Sequence, residues 1–146
     1  MDHLPVFINL RQKPCLVVGG GDIALRKVNL LLKAQAQIKC IAPEFCNGLI
    51  ELSRENAVDL IERRFESTDI DNQSVIIAAT DDDKTNAMVS SLAHESGIPI
   101  NVVDSPDLSS FIMPSIVDRS PIVIAISSAG KAPVPARIIR AKLETI

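Results

Sequence analysis

Residues 15–27 read CLVVGGGDIALRK, and this stretch decides the fold. Apolar residues suited to a buried strand run directly into three glycines, and apolar residues at helical spacing follow them. Gly19, Gly21 and Ala24 fit G-x-G-x-x-A, a fingerprint of dinucleotide-binding turns. The first glycine allows the turn, the second lets a pyrophosphate approach the backbone, and the small third residue lets helix and strand pack closely. Because strand and helix supply the required context, we predict a dinucleotide whose phosphates lie at the helix N-terminus.

The composition is that of a globular protein. The chain has 146 residues, of which 47% are hydrophobic and 23% charged, so it is long enough for one domain with an appendage. No run approaches the roughly 18 apolar residues that cross a membrane. The N-terminus lacks the features of a signal peptide, so we expect a cytoplasmic protein without a membrane partner. A net charge of -3 and an aromatic content of 3% argue against nucleic acid as a partner.

The cysteines do not form a recognisable metal or disulfide pattern. Cys15, Cys40 and Cys46 show no C-x-x-C spacing, and the first two lie in predicted strands. We interpret them as small core residues in a reducing compartment. Because the chain has only two histidines and no clustered Cys/His set, we predict no permanent metal site.

Further apolar segments alternate with helical ones along the chain. The sequence predicts a lead-in strand at residues 4–10 and, after the glycine turn, strands at residues 38–42, 58–65, 74–80 and 99–103. Strands that alternate with helices form a doubly wound, mostly parallel sheet. We therefore predict an α/β fold of the Rossmann type, in which ligands bind beyond the carboxyl ends of the strands.

Polar residues follow several of these strands, at the edge where a ligand would bind. Glu44, after Pro43, is the acidic candidate for the ribose hydroxyls, with an ordinary loop acid as an equal alternative. No arginine directly follows it to hold a 2′-phosphate, which favours NAD over NADP. Thr80, Asp81 and Asn101 are expected at the same edge.

Two acidic features near this edge need separate interpretations. Asp104 closes the last parallel strand, and we place its carboxylate nearest a bound nicotinamide, with a loop cap as the alternative. Asp81, Asp82 and Asp83 open the preceding helix and could be metal ligands. We favour a helix start, because the helix dipole favours acids in the first turn and one of them can be the N-cap.

The C-terminal part of the chain changes character. Apolar segments at residues 111–117 and 122–127 predict an antiparallel hairpin, and residues 134–146 have a helical pattern. From residue 119 onward Glu144 is the only acid, whereas the basic residues are Arg119, Lys131, Arg137, Arg140 and Lys142. This segment is either a solvated amphipathic helix or a site for a polyanionic substrate, since arginine suits charge-assisted bonds to carboxylates.

Several motifs, in a fixed order, resemble those of one family. They are VGGGD at 18–22 with RK at 26–27, AATDDD at 78–83, NVVD at 101–104, SFIMPSI at 110–116 and DRSP at 118–121. Over essentially its whole length, the chain resembles the N-terminal part of the siroheme synthases.

The resemblance implies an enzyme that uses NAD+ to oxidise precorrin-2 to sirohydrochlorin and then inserts Fe2+, a substrate, to form siroheme. By position it implies that Asp104 is catalytic and that the NAD contacts include Asp22, Ile23, Pro43 and Glu44. One carboxylate can serve both steps, because dehydrogenation releases a proton and chelation must remove pyrrole N–H protons. The many carboxylates of the substrate would be bound by Ser128, Lys131, Arg119 and Arg137.

The resemblance also implies a domain organisation. Residues 1–113 would form the NAD-binding domain, and residues 114–146 would begin a dimerisation and substrate-binding region. That region stops at Ile146, either because the sequence is truncated or because the protein is short. We expect a homodimer where that region is complete, and in the fused enzymes a methyltransferase domain follows. Gln35 stands where the family commonly has glycine, so we expect the turn after the first helix to be built differently.

A second hypothesis comes from another class of protein. A dinucleotide-sensing regulatory domain would use the same glycine turn but bind no tetrapyrrole. Asp104 and the basic C-terminal segment argue against this alternative, because a sensor needs neither.

Overall fold

The computed structural model describes residues 1–129, 131 and 133–146. It divides into two compact units, one formed by Phe7–Phe111 and the other by Met1–Val6 with Ile112–Ile146. The turn predicted around Gly130 and Ala132 lies partly outside the described residues.

The first unit is a parallel sheet with helices, as predicted. Its five strands lie in the order β3-β2-β1-β4-β5, and every neighbouring pair is parallel. The strands are β1 (Pro14–Val18), β2 (Gln37–Ala42), β3 (Asp59–Glu62), β4 (Val75–Ala78) and β5 (Ile100–Val102). The helices are α1 (Asp22–Lys33), α2 (Asn47–Arg54) and α3 (Asp83–Glu95). This strand order confirms the predicted Rossmann-type fold.

The core of this unit explains why its central strands, β1 and β4, are continuous apolar runs. Leu16, Ile41, Ile76 and Ile100 have no exposed surface. Strands of a parallel sheet that helices cover on both faces must be apolar at every position, not only at alternate ones. Each fully buried side chain of this size stabilises the fold by about 1.5–3 kcal/mol relative to its exposed state.

The predicted lead-in strand at residues 4–10 does not form, and that prediction was wrong. The segment pairs with no strand in the part of the chain that the structure describes, and Leu4 and Phe7 are about three-quarters exposed. Pro5 has no N–H to give to a ladder, which makes the segment a poor partner for a sheet edge. Only Leu10 is buried, where its carbonyl accepts the N–H of Lys13 and turns the chain into β1.

The turn after α1 has a left-handed residue. Gln35 has a φ of 59°, the conformation that glycine adopts without steric cost. Its side-chain Oε1 accepts the Arg11 Nε–H at 2.9 Å, and its carbonyl accepts the Gln12 N–H. The turn therefore differs from a glycine turn in the side-chain contacts of Gln35, while its backbone takes a conformation that suits glycine.

The second unit contains the hairpin and helix predicted for the C-terminal part. Strands β6 (Ser115–Arg119) and β7 (Ile122–Ile126) are antiparallel, and α4 (Pro133–Glu144) contacts both. Strand β6 begins four residues later than the apolar segment predicted at residues 111–117. Val117 and Ala136 are buried in this unit. Asp2 joins it through an ion pair with Lys131, with 2.8 Å between Oδ2 and Nζ.

An ion pair organises the loop that follows β3. The Arg63 guanidinium donates two hydrogen bonds to the Asp69 carboxylate, at 2.8 and 2.7 Å, and Asp69 also accepts the Glu66 N–H. Asp69 is only 5% exposed. The hydrogen bonds from Arg63 lower the pKa of Asp69 against the opposing effect of burial. Phe65, between the two partners, packs against the core cluster.

Replacing Arg63 by Met should destabilise the protein by about 1–3 kcal/mol at pH 7, because it leaves a buried carboxylate without its donor. The lowered pKa of folded Asp69 means that the ion pair stabilises the fold above the pKa of the unfolded carboxyl and is lost as the pH falls through the folded value. The free energy of unfolding of the variant and of the unaltered protein should therefore differ less at about pH 3 than at pH 7. Urea denaturation at both pH values measures this difference. Arg54→Met, at an exposed position of α2, is the control, and a pH-independent difference would contradict the ion-pair explanation.

Candidate functional site

Two of the three glycines are required by the packing of the protein itself. Gly19 has a φ of 137°, and a Cβ atom there would lie 2.3 Å from the carbonyl oxygen of Ala79. A Cβ atom on Gly20 would lie 1.8 Å from the carbonyl oxygen of Glu44. The backbone of the turn therefore touches the segments that follow β4 and β2. Sequence reasoning missed Gly20, although the run of three glycines was the available signal.

Gly21 differs from the other two glycines. A Cβ atom there would meet no atom within 4 Å, and its φ of -91° is open to any residue. Gly21 is the N-cap of α1, and the N–H groups of the first helical turn have no intrahelical acceptor. No side chain at Gly21 caps them either. Unpaired N–H groups and open space in front of them form a site for an anion such as a pyrophosphate.

A cavity of about 850 Å³ opens in front of this turn. It lies at the carboxyl ends of β1, β2 and β4, where ligands bind in open parallel sheets. The predicted cofactor residues that line it are Gly19, Gly21, Asp22, Ile23, Pro43, Glu44, Thr80 and Asp81. Its size and position suit a dinucleotide.

Two predicted cofactor residues do not line this cavity. Ala24 is fully buried beneath the turn, where a small residue lets α1 approach β1. Asn101 is 8% exposed, and its side-chain amide donates to the carbonyl of Phe111 at 3.1 Å. Asn101 therefore holds the segment that follows β5 through the Phe111 carbonyl.

Hydrogen bonds fix the cavity wall that follows β4. The Thr80 hydroxyl donates to Asn86 Oδ1 at 2.7 Å, and the Asn86 amide donates to the Thr80 carbonyl at 3.0 Å. Asp82 caps α3 by accepting the Lys84 N–H, and it also accepts the Thr85 hydroxyl. The bond from Thr85, more than any other contact, lowers the pKa of Asp82. These contacts agree with the N-cap interpretation of the acidic run.

The far end of the cavity holds residues that the sequence did not suggest. Arg64 and Phe65, after β3, line it together with Glu44. The sequence predicts only that Arg64 lies in the strand at residues 58–65, with no role at the ligand edge. The strand order places the end of β3 beside the end of β2. The sequence alone does not give this order, so it does not predict that Arg64 lies near Glu44.

Asp104 lies in a second, smaller cavity of about 260 Å³, which is also lined by Ile23, Arg26, Lys27 and Val103. Its φ of 59° places it in the left-handed region, where Asp and Asn are among the better tolerated residues. Across residues 1–129, 131 and 133–146, no hydrogen bond or ion pair holds the Asp104 carboxylate. Ile23 lines both cavities, so Asp104 is separated from the cofactor cavity by the first turn of α1.

The predicted substrate residues lie in the second unit. Lys131 is paired with Asp2, and its N–H donates to the carbonyl of Ser128. Arg119 donates to the carbonyl of Glu144 at 2.9 Å. Arg137 lies on an exposed part of α4.

Two kinds of structure are absent from residues 1–129, 131 and 133–146. In these ranges no group of three or more His, Cys, Asp or Glu side chains could hold a metal ion. None of the helices described in the structure has the length and apolar character needed to cross a membrane.

A match to a family model defines the class of protein to which the chain belongs. A family model whose description reads "Putative NAD(P)-binding" matches residues 6–115. The match covers the glycine turn, both cavities and Asp104. The chain belongs to this NAD(P)-binding family.

The relatives of known name narrow the class further. Along nearly its whole length the chain corresponds to the N-terminal region of siroheme synthases. It is 61% identical over 145 residues to the siroheme synthase of Ruthia magnifica subsp. Calyptogena magnifica, covering 99% of this chain and 31% of that protein. It is 55% identical over 146 residues to the siroheme synthase of Pseudoalteromonas translucida, covering 100% of this chain and 31% of that protein. The chain thus spans about a third of the length of these relatives.

Solved structures agree with this assignment. The structure of SirC, a precorrin-2 dehydrogenase, matches with a TM-score of 0.83 and 25% identity, over 98% of this chain and 70% of that one. The apo-structure of D-lactate dehydrogenase from Escherichia coli matches with a TM-score of 0.53 and 16% identity, over 70% of this chain and 32% of that one. The likeness to D-lactate dehydrogenase shows a shared fold and nothing about function.

The different surroundings of the glycines lead to a prediction. Gly21→Ala should lower the midpoint of thermal unfolding only slightly, because its Cβ has space and its φ is unstrained, and the remaining cost is that alanine is a poorer N-cap than glycine. The same methyl group faces the anion site, so the affinity for NAD+ in a calorimetric titration should fall about tenfold or more, which is about 1.4 kcal/mol. Gly20→Ala is the matched contrast, since its Cβ would overlap the Glu44 carbonyl and destabilise the fold by about 2 kcal/mol or more. Unchanged NAD+ affinity in Gly21→Ala would exclude the turn as the phosphate site.

Proposed function

We propose that the chain binds NAD+ in the larger cavity and oxidises precorrin-2 to sirohydrochlorin. The names of the relatives and the likeness to SirC support the reaction, and the family supports the cofactor. The single observation that carries the proposal is the unpaired carboxylate of Asp104, in a cavity that shares Ile23 with the larger one. A site for hydride transfer with loss of a proton needs a cofactor and a base this close together.

The residues that line the larger cavity fit NAD+. The N–H groups at the start of α1, in front of Gly21, would hold the pyrophosphate. The Glu44 carboxylate, at the end of β2, would accept hydrogen bonds from the adenosine ribose. Thr80, whose side chain is fixed by Asn86, would border the nicotinamide half. When bound, NAD+ supplies the acceptor for a hydride.

Asp104 would take the proton that leaves with the hydride. Oxidation of precorrin-2 removes one hydride and one proton, so that sirohydrochlorin and NADH form and the proton passes to the carboxylate. We extend the proposal to Fe2+ insertion, in which the metal ion is a substrate. Two pyrrole N–H protons must leave as Fe2+ enters, and the same carboxylate would accept them in turn. An exposed carboxylate can then release each proton to solvent.

The second unit would contribute to substrate binding and assembly. Arg119, Lys131 and Arg137 would bind carboxylates of the tetrapyrrole, with Ser128 beside them. The present partners of Lys131 and Arg119 are an exposed carboxylate and a backbone carbonyl, and both are weak competitors for a polyanion. The exposed apolar side chains of this unit include Ile122, Val123, Ile138 and Ile139. We propose that they pack against a second copy in a homodimer.

The role of Asp104 is tested by Asp104→Asn. Asparagine is isosteric and tolerates the left-handed backbone, so the variant removes the base without changing the fold. NADH formation from precorrin-2, followed at 340 nm under anaerobic conditions, should fall by about 100-fold or more. The affinity for NAD+ should stay within about twofold, since Asp104 is outside the larger cavity.

Asp107→Asn is the control, because Asp107 is exposed in the same loop but lines neither cavity. Full activity of Asp104→Asn would exclude Asp104 as the base. Binding of NAD+ by the unaltered chain without any NADH formation would reject the dehydrogenase proposal for this chain.

The choice of cofactor is tested by Glu44→Ala. Its carboxylate would bind the ribose hydroxyls of NAD+ and repel the 2′-phosphate of NADP+, whereas Arg64 would attract that phosphate. The variant should lose about tenfold in NAD+ affinity and gain affinity for NADP+. Calorimetric titration with both dinucleotides measures the two changes, and Glu51→Ala, on an exposed position of α2, is the control. An unchanged preference would make Glu44 an ordinary loop acid.

A further inference from the structure

The smaller cavity brings together charged groups to which the function proposed above gives no role. Lys27 lies one helical turn after Ile23, on the same side of α1, and is half-buried in the cavity wall. Arg26 precedes it and is exposed. Asp104 faces both from the segment after β5. Two cations and one carboxylate therefore border a cavity of about 260 Å³.

The two cations are not neutralised by the protein. Among the residues that the structure describes, neither Arg26 nor Lys27 has a carboxylate within 4.0 Å. Burial lowers the pKa of Lys27, the neighbouring charge of Arg26 lowers it further, and Asp104 acts in the opposite direction. Asp104 offsets one of the two positive charges, so the edge of the cavity keeps a net positive charge that favours a second anion.

We propose that Arg26 and Lys27 form a subsite for a side-chain carboxylate of the tetrapyrrole. This inference rests on the proposed function and deepens it. The cavity is too small for the macrocycle but has room for one of its acidic side chains. A carboxylate bound there would lie next to Asp104, so the ring that carries it would be held against the base.

The charges explain why two cations are needed. A substrate carboxylate that enters the cavity is repelled by Asp104, and a single cation would only offset that repulsion. The second cation makes binding favourable. Lys27 supplies a charge-assisted hydrogen bond in a partly desolvated site, and the guanidinium of Arg26 can bind the outer oxygen. The substrate is thereby oriented without any movement of the catalytic carboxylate.

The position of Ile23 couples this orientation to the cofactor. Its side chain borders both cavities, while Asp22 borders only the larger one. A carboxylate held by Lys27 therefore fixes the macrocycle at the same helical turn that would hold the pyrophosphate. Arg26 and Lys27 would be positioning and specificity residues for polycarboxylates, with no part in proton transfer.

The experiment is an anaerobic titration of the protein with sirohydrochlorin, followed by its visible absorption. Lys27→Met should weaken binding about 10- to 100-fold, and Lys27→Arg should restore it to within about threefold of the unaltered protein. With precorrin-2 and NAD+, Lys27→Met should raise KM by a similar factor and change kcat little. Lys33→Met, at the exposed end of the same helix, should bind normally. Titration with NAD+ shows that each variant is folded.

The outcomes separate this subsite from the function on which it rests. If the unaltered chain binds sirohydrochlorin and Lys27→Met binds it equally well, the subsite is wrong and the dehydrogenase proposal stands. If Lys33→Met weakens binding as much as Lys27→Met, the effect is one of general charge and the subsite is again wrong. If the unaltered chain binds NAD+ but not sirohydrochlorin, both the proposed function and the subsite are rejected.

Discussion

The close approach of three backbone segments at Gly19 and Gly20 is the constraint on which the rest of the structure depends. The carbonyl oxygens of Ala79 and Glu44 occupy the space that a side chain would fill at these positions. The N–H of Cys46 donates to the Gly20 carbonyl at 2.8 Å, and the Cys40 thiol donates to the Gly19 carbonyl at 3.1 Å. Because the ends of β1, β2 and β4 converge here, the loops that follow them form one cavity wall. The phosphate site proposed at Gly21 would then be a property of the packing.

Much of the fold follows from local signals in the sequence. The run from Cys15 to Gly21 combines an apolar strand with a turn that needs glycine, and both are short-range properties. Continuous apolar runs further along predict buried parallel strands for the same reason. The lead-in strand failed because an apolar segment such as 4–10 becomes a strand only if a neighbour offers hydrogen bonds. That information is not in the segment itself.

The site was less predictable because it depends on contacts between distant segments. Glu44 and Asp104 could be named from their positions after strands, whereas Arg64 enters the cavity only through the order of β3 and β2. Lys27 has the spacing of an ordinary helix residue, and the role proposed for it rests on the charge of Asp104 in the same cavity. Asn101 shows another limit, since its strand-end position predicts a ligand contact but does not reveal that its side chain donates to the Phe111 carbonyl.

The burial of two thiols has a practical consequence for reactivity. Cys15 and Cys40 have no exposed surface, and burial raises their pKa values to about 11 and about 12, so at neutral pH they stay protonated and inert to alkylating agents. Cys46 is partly exposed and borders the larger cavity. A maleimide dye would therefore label one known atom at the mouth of the cavity. Occupancy of that cavity could then be read from fluorescence without altering the chain.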